Sequence, residues 1–120
     1  KELVLGIDGE VSERAYALKH LDDAGVINDE FESRPIVVAF NVPAASVGAF
    51  DRRVEDVTLV FEDVDDTSMT DGRTGSIWRK DTGVALEGPL KGKHMKRVRS
   101  LTSFWFAWSD FNPQTEIYVP

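Results

Sequence analysis

Short apolar runs separated by turn-forming residues recur along the whole chain, a spacing that predicts many brief strands. Residues 3–7 are apolar and end on Asp8-Gly9, the signal of a strand and its tight turn. Residues 11–17 return from that turn with Arg14 and Tyr16 on one face and Ala15 and Ala17 on the other. Residues 18–24 read as a short helix, with Leu18 and Leu21 sharing a face and Gly25 ending it. Val26-Ile27 is apolar again, and the run from 28 to 34 is polar.

Residues 36–40 form a continuous apolar run that suits a strand buried on both faces. Pro43 interrupts any ladder before a strand resumes over 46–50, followed by a charged connection over 51–56. Residues 57–61 are rich in β-formers, whereas 62–71 are acidic and read as irregular. Residues 76–80 and 84–87 flank Asp81-Thr82-Gly83 as a hairpin carrying Trp78. Over 100–111, Leu101, Phe104, Trp105 and Trp108 recur at helical spacing, with Ser100 or Thr102 as cap and Asn112-Pro113 as stop. A short strand over 116–119 closes the chain. The expected fold is mainly β or α+β: a single compact domain over 1–120, built on a largely antiparallel barrel-like or sandwich-like sheet with two short helices. The C-terminal helix is expected to cover one opening of that sheet.

Composition narrows the chemistry. A chain of 120 residues that is 42% hydrophobic can bury a core without staples. Its lack of cysteine excludes disulfides, thiolate metal sites and cysteine nucleophiles. No apolar run is long enough to span a bilayer, so no transmembrane segment is expected. Residues 1–71 hold 17 acidic and 6 basic side chains, and residues 72–120 hold 4 acidic and 8 basic. Two such regions could pair within the fold or between copies, but two differently charged solvated faces are the favoured explanation. The net charge of −7 argues against nucleic-acid binding.

Individual motifs are weak. The acidic segment 62–71 offers oxygen ligands for calcium, but from Asp63 the sixth and twelfth loop positions hold Ser68 and Thr74, not Gly and Glu. The basic cluster 91–99 would be split across two strand faces. His20 and His94 sit in contexts that suggest exposed side chains, and no metal site or cofactor is expected. The polar groups best suited to grip a small ligand are Arg14, Tyr16, Asn28, Asp29, Asp71 and Trp78. The competing structural reading pairs Arg14 with Asp71 and has Asn28 capping a turn.

The stretch 71–92 keeps Asp71, Thr74, Ser76, Trp78, Gly83, Ala85, Gly88, Leu90 and Gly92 at the spacing of a longer pattern, with Gly72 and Lys80 in place of its Arg and Gln. Arg14-Ala15-Tyr16, Asn28-Asp29, Phe50-Asp51-Arg52 and the segment 102–108 fit further motifs in the same order. On these residues the chain resembles domain-of-unknown-function family 3179, a prokaryotic family, over essentially its whole length. The resemblance implies two cysteines within 40–44 and a His-Glu pair at 24–25. This chain has Asn41 and Ala44, and Ala24-Gly25, at those places, groups that cannot exchange thiols or hold a soft metal. It therefore reads as a degenerate relative: a non-catalytic structural or interaction domain with a protein partner or self-association. The alternative is a ligand-binding module or enzyme using a polar pocket around Arg14, Tyr16, Asp29, Asp71 and Trp78. Resemblance to exported relatives implies an extracytoplasmic location.

Overall fold

The computed structural model describes residues 2–120. In chain order the elements are β1 (Leu3–Asp8), β2 (Glu13–Ala17), α1 (Leu18–Ala24), β3 (Val26–Phe31), β4 (Arg34–Asn41), β5 (Ser46–Asp51), β6 (Arg53–Val54), β7 (Val57–Thr58) and β8 (Phe61–Asp63). They continue as β9 (Ser68–Asp71), β10 (Ile77–Arg79), β11 (Ala85–Glu87), β12 (Arg97–Val98), β13 (Leu101–Phe104), α2 (Trp105–Phe111) and β14 (Glu116–Ile117).

The apolar run of β4 sets the layering. Ile36, Val37, Val38 and Ala39 are all fully buried, so both faces of this strand need a cover. Its sheet, ordered β12-β5-β4-β3, supplies that middle layer. Ile36 and Val38 pack with Leu5, Ile7 and Tyr16 of the sheet β13-β1-β2-β14 and with Leu21 of α1. Val37, Ala39 and Phe50 pack on the opposite face with Phe61, Met69, Trp78 and Ala85 of the sheet β11-β10-β9-β8. The helix α2 covers the outer face of the first sheet, where Trp108 meets Val4 and Ala15. A Cβ on Gly6 would sit inside the Trp108 indole, so the glycine sets how closely α2 approaches β1.

The mainly β, largely antiparallel expectation holds, with β2–β14 as the one parallel pair among the described residues. None of the sheets closes into a barrel. The result is a stack of three sheets, and α2 lies on a sheet face instead of plugging an opening.

Local differences have local causes. The first return strand starts at Glu13, not at 11, because residues 9–12 form a wider loop. Glu32 fastens that loop by accepting from the backbone N–H groups of Glu10, Val11 and Ser12 at 2.8–2.9 Å. The polar run 28–34 is strand, not loop: Ile27 and Phe31 are buried on alternate positions, and Glu32 and Ser33 make the turn to β4 with positive φ. The acidic segment 62–71 forms the β8–β9 hairpin, and 57–61 is divided between β7 and β8. Finally, 101–104 is strand and only Trp105–Phe111 is helix. The helix N-cap is Phe104, without a side-chain cap bond, so neither Ser100 nor Thr102 caps it. Pairing with β1 overrides the helical spacing there.

Candidate functional site

Arg14, Tyr16 and Asp29 meet where the first two sheets adjoin. Alternation along β2 and β3 brings them together, since Arg14 and Tyr16 lie two positions apart on β2. Asp29 Oδ2 accepts from Arg14 Nη1 at 2.9 Å and from the Tyr16 hydroxyl at 2.8 Å. The Arg14 Nε and Nη2 both donate to Glu116 Oε1 of β14, at 2.9 and 2.7 Å, and the guanidinium lies 5.0 Å above the Phe31 ring. Burial works against the Arg14 charge, but hydrogen bonds led by that to Glu116 hold its pKa above the ordinary arginine value. Burial, then the hydrogen bond to Asp29, push the Tyr16 phenol up as well. Tyr16 is fully buried and stacked on Tyr118 at 5.3 Å. It therefore stays protonated and sealed at neutral pH.

The other three candidates lie elsewhere. Asn28 does not cap a turn; from within β3 its Nδ2 donates to the Phe61 carbonyl at 2.8 Å and its Oδ1 accepts from the Phe61 N–H at 2.9 Å. One side chain thus stands in for a strand and ties the second sheet to the third. Asp71 pairs with the indole of Trp78, not with Arg14: Trp78 Nε1 donates to Asp71 Oδ2 at 2.8 Å. The same carboxylate accepts from Thr74 N at 2.6 Å and Thr74 Oγ1 at 2.9 Å, and Thr74 Oγ1 lies 2.7 Å from Ser76 Oγ. Leu90 N donates to that serine at 3.0 Å. The pattern retained over 71–92 is therefore a tied turn in which the polar side chains of Asp71, Thr74, Ser76 and Trp78 bond internally, and Asp71 and Trp78 are both fully buried.

These six residues do not share one pocket: Arg14, Tyr16 and Asp29 meet between the first and second sheets, Asn28 bridges the second and third, and Asp71 and Trp78 are bonded within the third. Only Asn28 lines one of the larger cavities, about 390 Å³, beside His20, Asp23, Ala24, Ile27 and Tyr118. His20, expected exposed, is half-buried with its Nδ1 enclosed and unpartnered, while His94 is exposed.

The fold does bring together the places where the resemblance implies a reactive set. Phe40 N donates to Gly25 O at 3.4 Å, Val26 pairs with Ala39, and Asn41 Oδ1 accepts from Ala44 N at 3.1 Å. Asn41 is buried with its Nδ2 unpartnered. A Cβ on Gly25 would strike the Asp63 carboxylate. That carboxylate accepts from the buried Lys80 Nζ at 2.5 Å, and Lys80 also reaches Asp65 O at 2.6 Å. Asp63 and Lys80 thus fill the room that a side chain at position 25 would take. Asp65 is occupied with its own turn, accepting from Thr67 N and Ser68 N, both at 2.9 Å. Among the described residues no three His, Asp or Glu side chains converge to hold an ion.

Sequence reading missed two features. Arg52, placed in a charged connection, is buried and donates to Ile36 O, Leu59 O and Asp29 O at 2.7–2.8 Å, and burial pulls its pKa below the ordinary value. Its place within Phe50-Asp51-Arg52 was the available signal. The second is an apolar surface at the C-terminal end of the chain. Leu101, Phe104, Phe106, Phe111, Ile117 and Val119 are all exposed, Phe104 stacks on Phe106 at 5.9 Å, and Leu3 pairs with Phe104. Reading 101–104 as an edge strand, which has Leu101 on one face and Phe104 on the other, would have left both side chains uncovered and revealed part of it.

No helix among the described residues is long and apolar enough to cross a membrane. No curated protein and no solved structure is significantly similar to this chain. One family model does match, that of the proteins of unknown function DUF3179, and it covers residues 1–115 of the 120. Its span includes the tied turn at Asp71 and Trp78, the Arg14–Tyr16–Asp29 cluster and Arg52, and the chain belongs to the DUF3179 family.

Proposed function

We propose that this domain is a non-catalytic interaction module that docks a protein partner through the apolar surface of β13, α2 and the end of the chain. The observation that carries this reading is the concentration of exposed apolar side chains there: Phe106 is 61% exposed, Phe111 87% and Val119 77%. Isolated exposed apolar residues are ordinary, but several gathered on neighbouring elements mark a contact surface. The polar residues support it from the other side. Arg14, Tyr16, Asp29, Asp71 and Trp78 are engaged with one another or with backbone, which leaves little with which to grip or transform a small molecule. Resemblance to exported relatives supports an extracytoplasmic setting.

A photoreactive phenylalanine at position 106, with Val11 as the control site, tests this in the native source. Val11 is 88% exposed and lies in the β1–β2 loop, outside the proposed surface. The expected result is a discrete protein adduct from position 106 and none from position 11. Equal labelling at both sites, or no adduct at 106, overturns the reading.

A further inference from the structure

The free edge of the first sheet carries more information than its apolar surroundings. Trp105 N donates to Glu2 O at 2.8 Å, in register with the β1–β13 pairs. In an antiparallel ladder bonded residues alternate, so Ser103 and Leu101 face β1 while Thr102 turns both its N–H and C=O outward and Phe104 its N–H; the Phe104 C=O, as N-cap, begins the bonding of α2. The β1–β2 side agrees: Gly9 N donates to Ser12 O, which assigns residues 3, 5 and 7 to β2 and residues 4 and 6 to β13.

An uncovered edge is ordinarily blunted by charge, proline or a covering side chain. The molecule does this at β3, its longest edge. Arg14 Nη1 donates to Glu30 O at 3.0 Å, and Asn28 binds the Phe61 backbone. The edge β13 has no such device. Leu101-Thr102-Ser103-Phe104 contains no charge and no proline, and its flanks are Leu3 and Phe106. The Ser103 hydroxyl donates to Phe104 O at 3.0 Å, an oxygen already committed to α2, and the backbone of Thr102 keeps its outward N–H and C=O without a partner among the described residues.

We propose that β13 pairs antiparallel with β13 of a second copy of this chain, about a two-fold axis through Thr102. This rests on the interaction reading above and names its partner. A two-fold axis requires a residue to face its own counterpart. Thr102 is the outward-facing residue that lets the pairing extend to both sides, with Phe104 of each copy opposite Ser100 of the other. Threonine facing threonine across two antiparallel strands is a favourable pair.

Leu3, Leu101, Phe104 and Phe106 are 41–61% exposed. They lie on both faces of this edge, so the pairing covers only part of their apolar side chains, well below the roughly 800 Å² that each partner gives to a standard interface. The dimer is accordingly reversible and depends on concentration.

Sedimentation velocity over a concentration series tests the pairing, with Thr102→Lys and Thr102→Pro as variants. Neither variant removes a bond to β1, because the Thr102 N–H points away from it, so both are expected to keep the wild-type circular dichroism spectrum and melting temperature. The wild type is expected to move towards twice the 13.4 kDa of one chain at high micromolar concentration, and both variants to stay monomeric. A wild type that remains monomeric overturns the proposal, as do folded variants that dimerise like it. Crosslinking at position 106 separates the two ideas. Adducts only with a different protein remove the second copy and keep the interaction surface; no adducts remove both.

Discussion

Replacing Asp71 by asparagine asks whether the pattern at 71–92 is a scaffold. The substitution conserves shape, so no cavity forms and the polar effect stands alone. Asp71 accepts from three donors, Trp78 Nε1, Thr74 N and Thr74 Oγ1, at 2.6–2.9 Å, and it is fully buried. An asparagine must place its NH₂ at one of the two oxygen positions. At Oδ2 it faces the indole N–H; at Oδ1 it faces the Thr74 N–H. The Thr74 hydroxyl can rotate to accept, with Ser76 Oγ 2.7 Å away, but an N–H cannot. Either choice orphans one buried donor, worth about 1–3 kcal/mol, and removes the charge assistance from the bonds that remain. The expected loss is about 2–3 kcal/mol, a large part of the ~5–15 kcal/mol that keeps a domain folded. For a chain of this size that lowers the melting temperature by roughly 10 °C. Urea unfolding followed by tryptophan fluorescence measures it, with the slope unchanged because the surface exposed on unfolding is the same. A loss below about 0.5 kcal/mol would refute the reasoning and return Asp71 to the list of free ligand-binding groups.

Two further outcomes follow from the same structure. Glu32 accepts three backbone N–H bonds and the Ser12 hydroxyl, chiefly those from Val11 and Glu10 holding its pKa below the ordinary carboxylate value. Because the folded pKa is depressed, its contribution is present above the unfolded carboxylate value and fades as pH falls through the folded one. The difference in stability between wild type and Glu32→Gln should therefore shrink on acidification; a difference that stays constant from neutral pH to below that range sinks the assignment. Gly25→Ala should lose about 2 kcal/mol by thermal unfolding, from positive φ and from displacing Asp63, and about 1 kcal/mol in an Asp63→Gly background, where only the backbone effect remains. Equal losses in both backgrounds would mean that Asp63 is not held against Gly25.

What could be read in advance was set by local pattern. The doubly buried β4, the helix ended by Gly25 and the hairpin around Gly83 follow from apolar runs and turn residues that depend on nothing distant. Segment 100–111 was misread because Leu101, Phe104, Trp105 and Trp108 satisfy a helical period while Thr102 and Ser103 equally satisfy a strand. Contact with β1, about 100 positions away, decides between them. The run 28–34 failed for a related reason. Asn28 and Asp29 look like loop residues until Phe61, Tyr16 and Arg14 supply the partners that let them sit in a sheet. Side-chain identity at the candidate site was legible, since Arg14, Tyr16 and Asp29 do meet. Their use was not, because whether a polar trio faces a cavity or closes on itself is set by packing between sheets.

That distinction bears most on Gly25. Glycine at a place where the resemblance implies glutamate looks, in sequence, like a simple deletion of a reactive group. In the fold the vacated room is filled: Asp63 comes from β8, and Lys80, which stands where the family pattern has glutamine, neutralises it from beyond β10. Lys80 is only 2% exposed, so its ammonium depends on the partners it has. Returning a longer side chain to position 25 would evict Asp63 and strand that buried charge, a larger penalty than the positive φ alone. The three positions are therefore coupled, and the glycine is part of a repacked interior. The interior around position 25 is thus closed by Asp63 and Lys80, whereas the phenylalanines of β13 and α2 stay exposed, which is why the proposed contact lies at the surface.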